Sequence, residues 1–349
     1  MTTFSGQRWD GPLARAAIED VDWASLTHAY GAADDVPDRI AALRSPDRST
    51  RDQAYAALYG SVFHQGTRYA ASPFAARALI SLAADTATPQ RHRVLTLLAS
   101  LAIGYDDACL PGGFDPARLR REVAEAAALD PADARREMEE WVAEAPSEDI
   151  RRNRAYHLEV FDFAFERDCL RWALESYDAV RTGTAVYRAL LEDDEPGVRI
   201  AAAYLLAWFP EDAERSVPAL VEVLRTEAHG HVVATAAVAV LLLGGDAALT
   251  AWAERGMSDT GEPVAWAAAF VLACLGGGSA RAEAVAVLQA HIAQDADGPE
   301  DDGPVPDDDE TAAPDDEAAV SVPYLGGDLA GLAMAALELL GVDGGDAYA

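Results

Sequence analysis

The side chains that most often do chemistry in enzymes are sparse in this sequence. Its seven histidines are dispersed, and no Cys-x-x-Cys pair accompanies them. His229 and His231 stand two residues apart at a predicted turn, but no cysteine or third ligand follows at a spacing typical of zinc sites. No glycine-rich phosphate loop, nucleophile elbow or zinc-protease motif occurs either. We therefore predict no metal site, no cofactor and no catalytic residue.

The densest polar and aromatic stretch, residues 59–69, joins two predicted helices. Donors, acceptors and rings on a connecting loop are typical of partner recognition, and Gly60 and Gly66 permit tight turns. The alternative is that His64 and Gln65 cap helix ends and hold the turn. The binding hypothesis singles out six side chains: Tyr59, Phe63, His64, Gln65, Arg68 and Tyr69.

Arginine is concentrated in residues 116–154, where eight arginines accompany ten carboxylates, a local net charge of −2. Several arginines lie four residues from a glutamate, as Arg118 does from Glu122, and this spacing favours weak ion pairs on a solvated helix face. The alternative is a surface that recognises anions. Its candidates are the least matched arginines: Arg151, Arg152 and Arg154.

The charge balance excludes several classes of function. All 27 basic residues are arginine, 59 residues are acidic, and the formal net charge is −32. Without lysine there is no Schiff-base nucleophile and no phosphate-loop lysine. The electric field of so negative a chain repels the phosphates of nucleic acids. The charge either favours cationic partners or only keeps the protein soluble. We expect no nucleic-acid binding, and a partner protein of basic character.

The cysteines and the apolar segments of the sequence indicate the cellular compartment. Three cysteines are scattered in apolar or amphipathic surroundings, which predicts buried thiols in a reducing environment. The N-terminal residues lack the apolar core of a signal peptide, and the longest apolar run, residues 232–243, is too short to cross a bilayer. We expect a cytoplasmic protein that does not enter a membrane.

One helical pattern occurs three times between residues 198 and 275. It begins at Val198, Val232 and Val264, at spacings of 34 and 32 residues. Each copy has an alanine pair four and five residues after its first position and a branched apolar residue eight after it, which makes one closely packable apolar face. Repetition at this period predicts a stack of helix pairs, since no single pair can bury its apolar face alone.

The chain at this point resembles the HEAT-repeat and phycobilisome-lyase-like repeat proteins. The resemblance rests on an acidic turn, a proline and then Val-Arg before an alanine-rich helix, residues 190–202. It implies that a turn aspartate and a helix-start arginine tie neighbouring pairs together, a role for Asp193 or Asp194 with Arg199, and for Asp47 with Arg51. Val233 and Ala265 replace the arginine in the next two copies. Such stacks include scaffolds, inhibitors, a few lyases and some DNA glycosylases.

These patterns predict an all-α chain, an α-solenoid of stacked antiparallel helix pairs. Residues 1–35 form an N-terminal cap, 36–104 HEAT-like pairs, 105–178 irregular longer helices and 179–294 further HEAT-like repeats. In the middle region an aromatic row at helical spacing is expected to be core. Residues 295–322 form a disordered acidic insertion, because its carboxylates and prolines cannot offset the entropy of ordering. Residues 323–349 supply a capping helix.

We predict a non-catalytic scaffold that binds another protein, and within that class a regulatory or immunity-type inhibitor of a basic partner. The alternative is a HEAT-fold enzyme, either a DNA glycosylase or a lyase that acts on a tetrapyrrole. A glycosylase must hold phosphates, which the acidity opposes. A lyase needs an acid/base pair in a groove, and no pair stands out. The oligomeric state stays open.

Overall fold

The computed structural model describes residues 18–245, 247–258, 261–275, 278–296, 321–339 and 341, and there the chain is mostly helical. The all-α prediction is confirmed. The helices are α1 Val36–Ala42, α2 Arg48–Ser61, α3 Ser72–Ala84, α4 Arg91–Ile103, α5 Pro116–Ala128, α6 Pro131–Ala143, α7 Glu148–Val160, α8 Phe163–Arg181, α9 Thr184–Ala189, α10 Pro196–Leu206, α11 Ala213–Thr226, α12 Gly230–Leu242, α13 Ala247–Gly256, α14 Glu262–Leu275, α15 Gly278–Ala296 and α16 Leu329–Leu339. Short 3-10 helices lie at Trp23–Ser25, Asp107–Cys109, Leu190–Glu192, Pro210–Asp212 and Tyr324–Gly327.

Two small β-hairpins interrupt the helices. Strand β1 (Thr27–His28) pairs with β2 (Gly31–Ala32), and β3 (Phe63–His64) pairs with β4 (Thr67–Arg68), both antiparallel. In the second hairpin Gln65 and Gly66 have φ of 48° and 80°, and two consecutive positive φ values are what a two-residue type I′ turn requires. Gly60 lies inside α2 and makes no turn. The expected turn at Gly66 is present as part of this hairpin.

Local sequence signals explain where many helices begin. The carboxylates of Asp47, Asp115, Asp130 and Asp162 accept hydrogen bonds from backbone N–H groups of the first turns of α2, α5, α6 and α8. Proline follows directly at 116 and 131, where its fixed φ suits the first helical position. These caps satisfy donors that the helices leave free. The chain is thus divided into many short helices.

The second half of the fold is built on a row of neighbouring helices. Helix α4 packs against α10, α10 against α12, and α12 against α14, which also contacts α15 and α16. Ala202, Ala236 and Ala268, the first alanine of each pair in the repeated pattern, are completely buried. Because alanine adds little bulk, these helices approach one another closely. The repeated pattern therefore marks the helix faces that form the core.

The middle of the chain departs from this row. Helix α8 covers α3 and α4, α5 packs on α8, and the main helix neighbour of α6 is α7. Helices α5, α6 and α7 have 13 residues each, the same length as α3 and α4. Only α8, with 19 residues, is longer. The expectation of longer helices in residues 105–178 therefore applies to α8 alone.

Polar contacts connect successive parts of the fold through three helix-start arginines. Arg51 of α2 donates through Nε to Oε1 of Gln90, just before α4, at 2.8 Å. Arg91 of α4 donates to both carboxylate oxygens of Asp193, before α10, at 2.6 and 2.9 Å. Arg199 of α10 reaches Glu227, before α12, at 2.7 Å. Each arginine thus holds the turn that precedes a later helix.

The partners differ from those that the resemblance implied. Asp47 caps its own helix through Thr50, and the Asp193 carboxylate binds Arg91. Arg199 touches its own turn only through the carbonyl oxygens of residues 193 and 194. The physical reason is the reach of the side chain: the Nη1 groups of Arg51 and Arg199 bind backbone carbonyls of the turn before their own helix, and their Nε groups bind a side chain in a later turn.

The ends of the chain are described in part. Most of the expected acidic insertion, residues 297–320, lies outside the described residues, as do residues 1–17 of the expected cap. Helix α15 continues to Ala296, past the expected start of the insertion. Beyond residue 320, Tyr324 is buried against Tyr204 and Trp208, with ring centroids 5.0 and 6.0 Å away. Trp23, in the described part of the cap, packs on Phe74 of α3.

Among the described residues, every helix is too short or too polar to cross a lipid bilayer.

Candidate functional site

The stretch at residues 59–69 is mostly part of the core. Tyr59, Phe63 and Tyr69 retain 7 %, 1 % and 9 % of their surface, too little to contact a partner. Burial raises the pKa of Tyr59 to about 12. His64 is half-buried and only Gln65, at the tip of the turn, is exposed. The three rings are therefore not available for binding: Tyr59 is a buried residue of α2, and the hairpin that carries Phe63 and precedes Tyr69 packs on α2 and α8.

Two other tyrosines are exposed beside this hairpin. Tyr30, in the turn between β1 and β2, is 73 % exposed and its ring lies 5.5 Å from that of His64. Tyr105, after α4, is 48 % exposed and its ring lies 5.5 Å from that of Phe63. The sequence stretch alone did not point to either. Each of the two exposed tyrosines thus lies against a ring of the second hairpin.

Arg68 is half-buried in β4 and holds the hairpin together. Its Nη1 donates to the carbonyl of Gly66 at 2.5 Å, and it packs against Gly104. Burial lowers the pKa of Arg68 to about 10, opposed in part by Cys109 and Cys169. The hydrogen bond to a turn carbonyl gives this arginine a role within the fold.

The three arginines proposed to recognise anions are already occupied. Arg151 pairs with Glu148 at 2.8 Å, and Arg152 pairs with Asp149. Arg154 donates to the carbonyl of Trp141 at 2.5 Å and its guanidinium lies 4.5 Å from the centre of that ring. The prediction that they are the least matched arginines considers only partners four residues away, whereas Arg151 and Arg152 pair at a spacing of three and Arg154 finds its partner on another helix. Carboxylates of the same helix thus balance the charges of Arg151 and Arg152, and Arg154 is held by Trp141.

The strongest surface feature lies around these arginines, on a part of the chain that we call the arm: α6, α7 and the start of α8, residues 131–165. Within the described residues, nine large hydrophobic side chains are exposed, and six of them belong to the arm. They are Trp141, Ile150, Tyr156, Val160, Phe161 and Phe165, between 39 % and 64 % exposed. The expectation that the aromatic row is core is therefore wrong for Tyr156, Phe161 and Phe165.

The arm has almost no interior of its own. Between residues 131 and 165 only Ala134 and Ala145 are buried. The two helices mainly contact each other, so their outer sides have no protein neighbour. The arm is anchored at α8, where Phe165 meets Trp172 and Trp172 meets Tyr69, the residue after β4, both at 6.3 Å between ring centroids. An apolar surface is thus attached to the body through packed aromatic rings.

A concave site lies where the arm joins α8. It has a volume of about 340 Å³, and its lining is Pro131, Ala132, Arg135, Leu158, Phe161 and Phe163. The start of α6, the end of α7 and the start of α8 meet there. Pockets of this size and apolar character hold a side chain or a small ligand. Arg135 is the one charged residue of the lining, and it pairs with Glu139 at 3.2 Å.

One side of α6 carries an acidic row. Glu137, Glu140 and Glu144 are exposed and share this side with Trp141, because residues three, four and seven apart lie along one face of a helix. On the described arm none of these three carboxylates forms an ion pair within 4.0 Å, whereas the five arginines of the arm are all engaged. The arm therefore presents uncompensated negative charge next to exposed rings.

A sequence signal for this surface existed. In α7 the exposed apolar residues do not lie on one narrow face. At 100° per residue Ile150 lies roughly 120° from Tyr156 and roughly 80° from Val160 around the helix axis. A helix that is half charged and lacks a single apolar stripe cannot bury its apolar residues against one neighbour. The prediction of a core position rests on aromatic residues at helical spacing across residues 156–172 and does not take the charged positions of α7 into account.

The histidine pair also has a defined place. His229 and His231 flank the start of α12 with ring centroids 5.8 Å apart. Burial lowers the pKa of His231, and the neighbouring His229 lowers it further. Within the parts of the chain described here, no three histidine, cysteine, aspartate or glutamate side chains are grouped as a metal site requires.

Comparisons with family models, with curated proteins and with solved structures find no match for this chain.

Proposed function

We propose that the protein is a non-catalytic scaffold, a solenoid of stacked helix pairs, that binds a basic protein through the arm. The observation that carries this proposal is the concentration of exposed apolar side chains on residues 131–165. Single exposed hydrophobic residues are ordinary, but a group of them on one protruding element is typical of a protein–protein interface. Trp and Tyr, two of the exposed types, are also the residues that most often dominate binding energy.

The architecture supports the scaffold part of the proposal. Helices α4, α10, α12 and α14 pack in succession, and helix-start arginines reach forward to later turns, as in a stack of HEAT-like pairs. In such a stack each unit contacts mainly its neighbours, so an excursion such as α5–α7 can leave the stack without breaking its core. The arm is joined to the body through α8, which packs on α3 and α4.

Charge supports a basic partner. The chain carries −32, and the arm adds an acidic row on α6 beside Trp141. Complementary charge speeds association and excludes partners of the same sign. The apolar residues of the arm would supply affinity, and the carboxylates would supply selectivity.

Site-specific photo-crosslinking in the source cells tests the proposal. A photoreactive amino acid replaces Tyr156 in one variant and Val160 in another; a third variant carries it at Arg225 on α11, whose side chain is 73 % exposed and which lies off the arm. The expected result is one and the same basic protein attached from both arm positions and not from position 225. Trp141→Ser, combined with either arm variant, should reduce that product.

Two outcomes would contradict the proposal. If all three positions give the same products, the attachments reflect accidental collisions and the arm is no interface. If the arm positions capture an acidic protein or a nucleic acid, the basic-partner assignment is wrong.

A further inference from the structure

We infer that Arg68 is the centre of a second binding site, separate from the arm, for a small molecule that carries a single carboxylate. The site lies at the second hairpin, where Arg68 of β4 packs against Gly104, the residue that follows α4. The inference goes beyond the proposed function, because it concerns another surface and another class of ligand. Three features carry it: the unpaired charge of Arg68, the free edge of its guanidinium and the exposed ring of Tyr105.

The charge of Arg68 has no counter-charge in the described part of the chain. The titratable groups that act on it there are the thiols of Cys109 and Cys169. Burial raises the pKa of both thiols to about 11, so they are neutral at pH 7. Burial lowers the pKa of Arg68 to about 10, so the guanidinium is charged at pH 7. Because largely buried charges in proteins are normally paired, this cation is a strong attractor for an anion from solution.

The carboxylates of the surrounding loop and helix have other partners. Oδ2 of Asp106 accepts hydrogen bonds from the hydroxyl of Tyr204 at 2.9 Å and from the backbone N–H of Leu325 at 3.1 Å. On α8, Asp168 accepts from Arg171 at 3.0 Å. Both carboxylates act on the charge of a neighbouring thiol but not on that of Arg68. A ligand that binds Arg68 therefore has no carboxylate of the described chain to displace.

The free edge of the guanidinium determines the shape of the anion. Nη1 of Arg68 donates to the carbonyl oxygen of Gly66 at 2.5 Å. Nε is buried and has no acceptor, and the structure gives Nη2 no acceptor among the described residues. These two nitrogens lie on the same edge of the planar group, and their N–H bonds run parallel, which matches the two oxygens of a carboxylate. Since Arg68 is only partly exposed, a narrow planar head group fits this edge best.

The surroundings favour a monoanion with an apolar part. The net charge of −32 opposes every further negative charge on a ligand, which disfavours phosphates and nucleotides. The ring of Tyr105 is 48 % exposed and covers Gly66, where a Cβ atom would lie 3.2 Å from it. Gly66 is also the residue whose carbonyl holds Arg68. The apolar part of the ligand thus finds a flat aromatic surface next to the charged group.

Saturation-transfer NMR on the full chain, with benzoate as the probe, tests the inference. Benzamide is the matched neutral probe, since it has the same ring and a planar head group without the charge. At pH 7 and constant ionic strength we expect benzoate to bind at least about tenfold more tightly than benzamide. Acetate should displace benzoate, and chloride at the same concentration should not.

Matched variants locate the binding. Arg68→Met should weaken benzoate at least about tenfold. Arg77→Met is the control, because Arg77 is exposed on α3, forms no ion pair in the described structure and changes the net charge equally; it should stay within about twofold of the wild type.

A second pair of variants keeps Arg68 and does not depend on the folding of Arg68→Met. Cys109 is the thiol that acts most strongly on the charge of Arg68, so Cys109→Asp supplies an internal carboxylate. It should abolish benzoate binding and melt at a higher temperature than Cys109→Asn, which should still bind benzoate.

Equal binding of benzoate and benzamide would overturn the inference, because the charge would then play no part. Equal losses in Arg68→Met and Arg77→Met, or undiminished binding by Cys109→Asp, would overturn it too, since benzoate would then lie elsewhere. Displacement of benzoate by inorganic phosphate at a lower concentration than by acetate would refute the assignment of a carboxylate.

Discussion

The contact between Arg91 and Asp193 should be among the most important for stability, because it joins residues 102 positions apart. The Arg91 side chain is 4 % exposed and that of Asp193 is 9 % exposed, and two parallel hydrogen bonds of 2.6 and 2.9 Å connect them. Removing one partner of a buried pair costs about 3–5 kcal/mol, because the other charge stays buried. Glu195, 3.4 Å from Arg91 and largely exposed, adds little to the pair, as exposed ion pairs usually do.

Arg91→Met keeps the aliphatic stem and removes the charge, so it isolates this contact. We expect the free energy of unfolding to fall by about 3 kcal/mol, measured by urea denaturation followed by far-ultraviolet circular dichroism. Asp193→Asn should also destabilise. The double variant should cost less than the sum, since neither charge is then left unpaired.

Arg118→Met is the matched control, since Arg118 pairs with Glu122 on an exposed helix face and is 72 % exposed. Its cost should stay below about 0.5 kcal/mol. Two results would refute the view that this pair holds α4 to the turn before α10. One is an Arg91→Met protein that is as stable as the Arg118→Met control. The other is a double variant whose loss of stability equals the sum of the losses in Arg91→Met and Asp193→Asn.

Three further outcomes follow from the structure. Ala236 is completely buried where α12 meets its neighbours, so Ala236→Leu should overpack and lower the free energy of unfolding by about 1–3 kcal/mol; an unchanged melting temperature would contradict this packing. Burial alone raises the pKa of Glu227, but hydrogen bonds from His229, Arg199 and Ala228 outweigh it and leave the pKa below 4.5. The stability that this carboxylate supplies is therefore present above pH 4.5 and lost as the pH falls through its lowered pKa. The difference in melting temperature between the wild type and Glu227→Gln should accordingly become smaller in acid. A difference that stays constant across a pH series of melting curves would refute this. Burial raises the pKa of the Cys274 thiol to about 12 and the pKa of the Cys109 and Cys169 thiols to about 11. Labelling of the folded chain with a thiol reagent at pH 8 should therefore be at least about a hundredfold slower than labelling of the chain unfolded in urea. Fast labelling of the folded chain would contradict this prediction, because it would mean that the thiols become accessible.

Much of the helical framework could be predicted from local signals. The Asp-Pro pairs at residues 115–116 and 130–131 mark helix starts. The aspartate carboxylate accepts hydrogen bonds from the first turn of the helix, and the fixed φ of proline suits the first helical position, so both effects act within one turn. The alanine positions of the repeat predict buried helix faces because helical periodicity places them on one side. Such signals need no knowledge of distant residues.

The contacts between helices could not be predicted in the same way. Arg91 and Asp193 are far apart in sequence, and nothing local distinguishes Asp193 from Asp194 as the partner. The second hairpin was missed because Gln-Gly is a weaker turn signal than Asn-Gly.

The candidate site was the least predictable feature. Whether Phe161 or Tyr156 is buried depends on which helices pack against α7, and the sequence contains only the weak hint that α7 lacks a continuous apolar stripe. The opposite error occurred at Phe63 and Tyr69, since a polar loop sequence concealed rings that fold inward.

The affinity of the crosslinked partner for variants of the arm is the most direct test of the proposed function. Isothermal titration calorimetry compares three proteins: the wild type, an arm variant and a control. The arm variant combines Trp141→Ala with Tyr156→Ala. The control removes two exposed rings off the arm by combining Tyr30→Ala with Tyr105→Ala. Loss of two aromatic contacts at an interface should raise Kd about a hundredfold or more for the arm variant, and the control should stay within about threefold of the wild type. A control that loses affinity while the arm variant keeps it would contradict the account and move the binding surface to the tyrosines beside the hairpins.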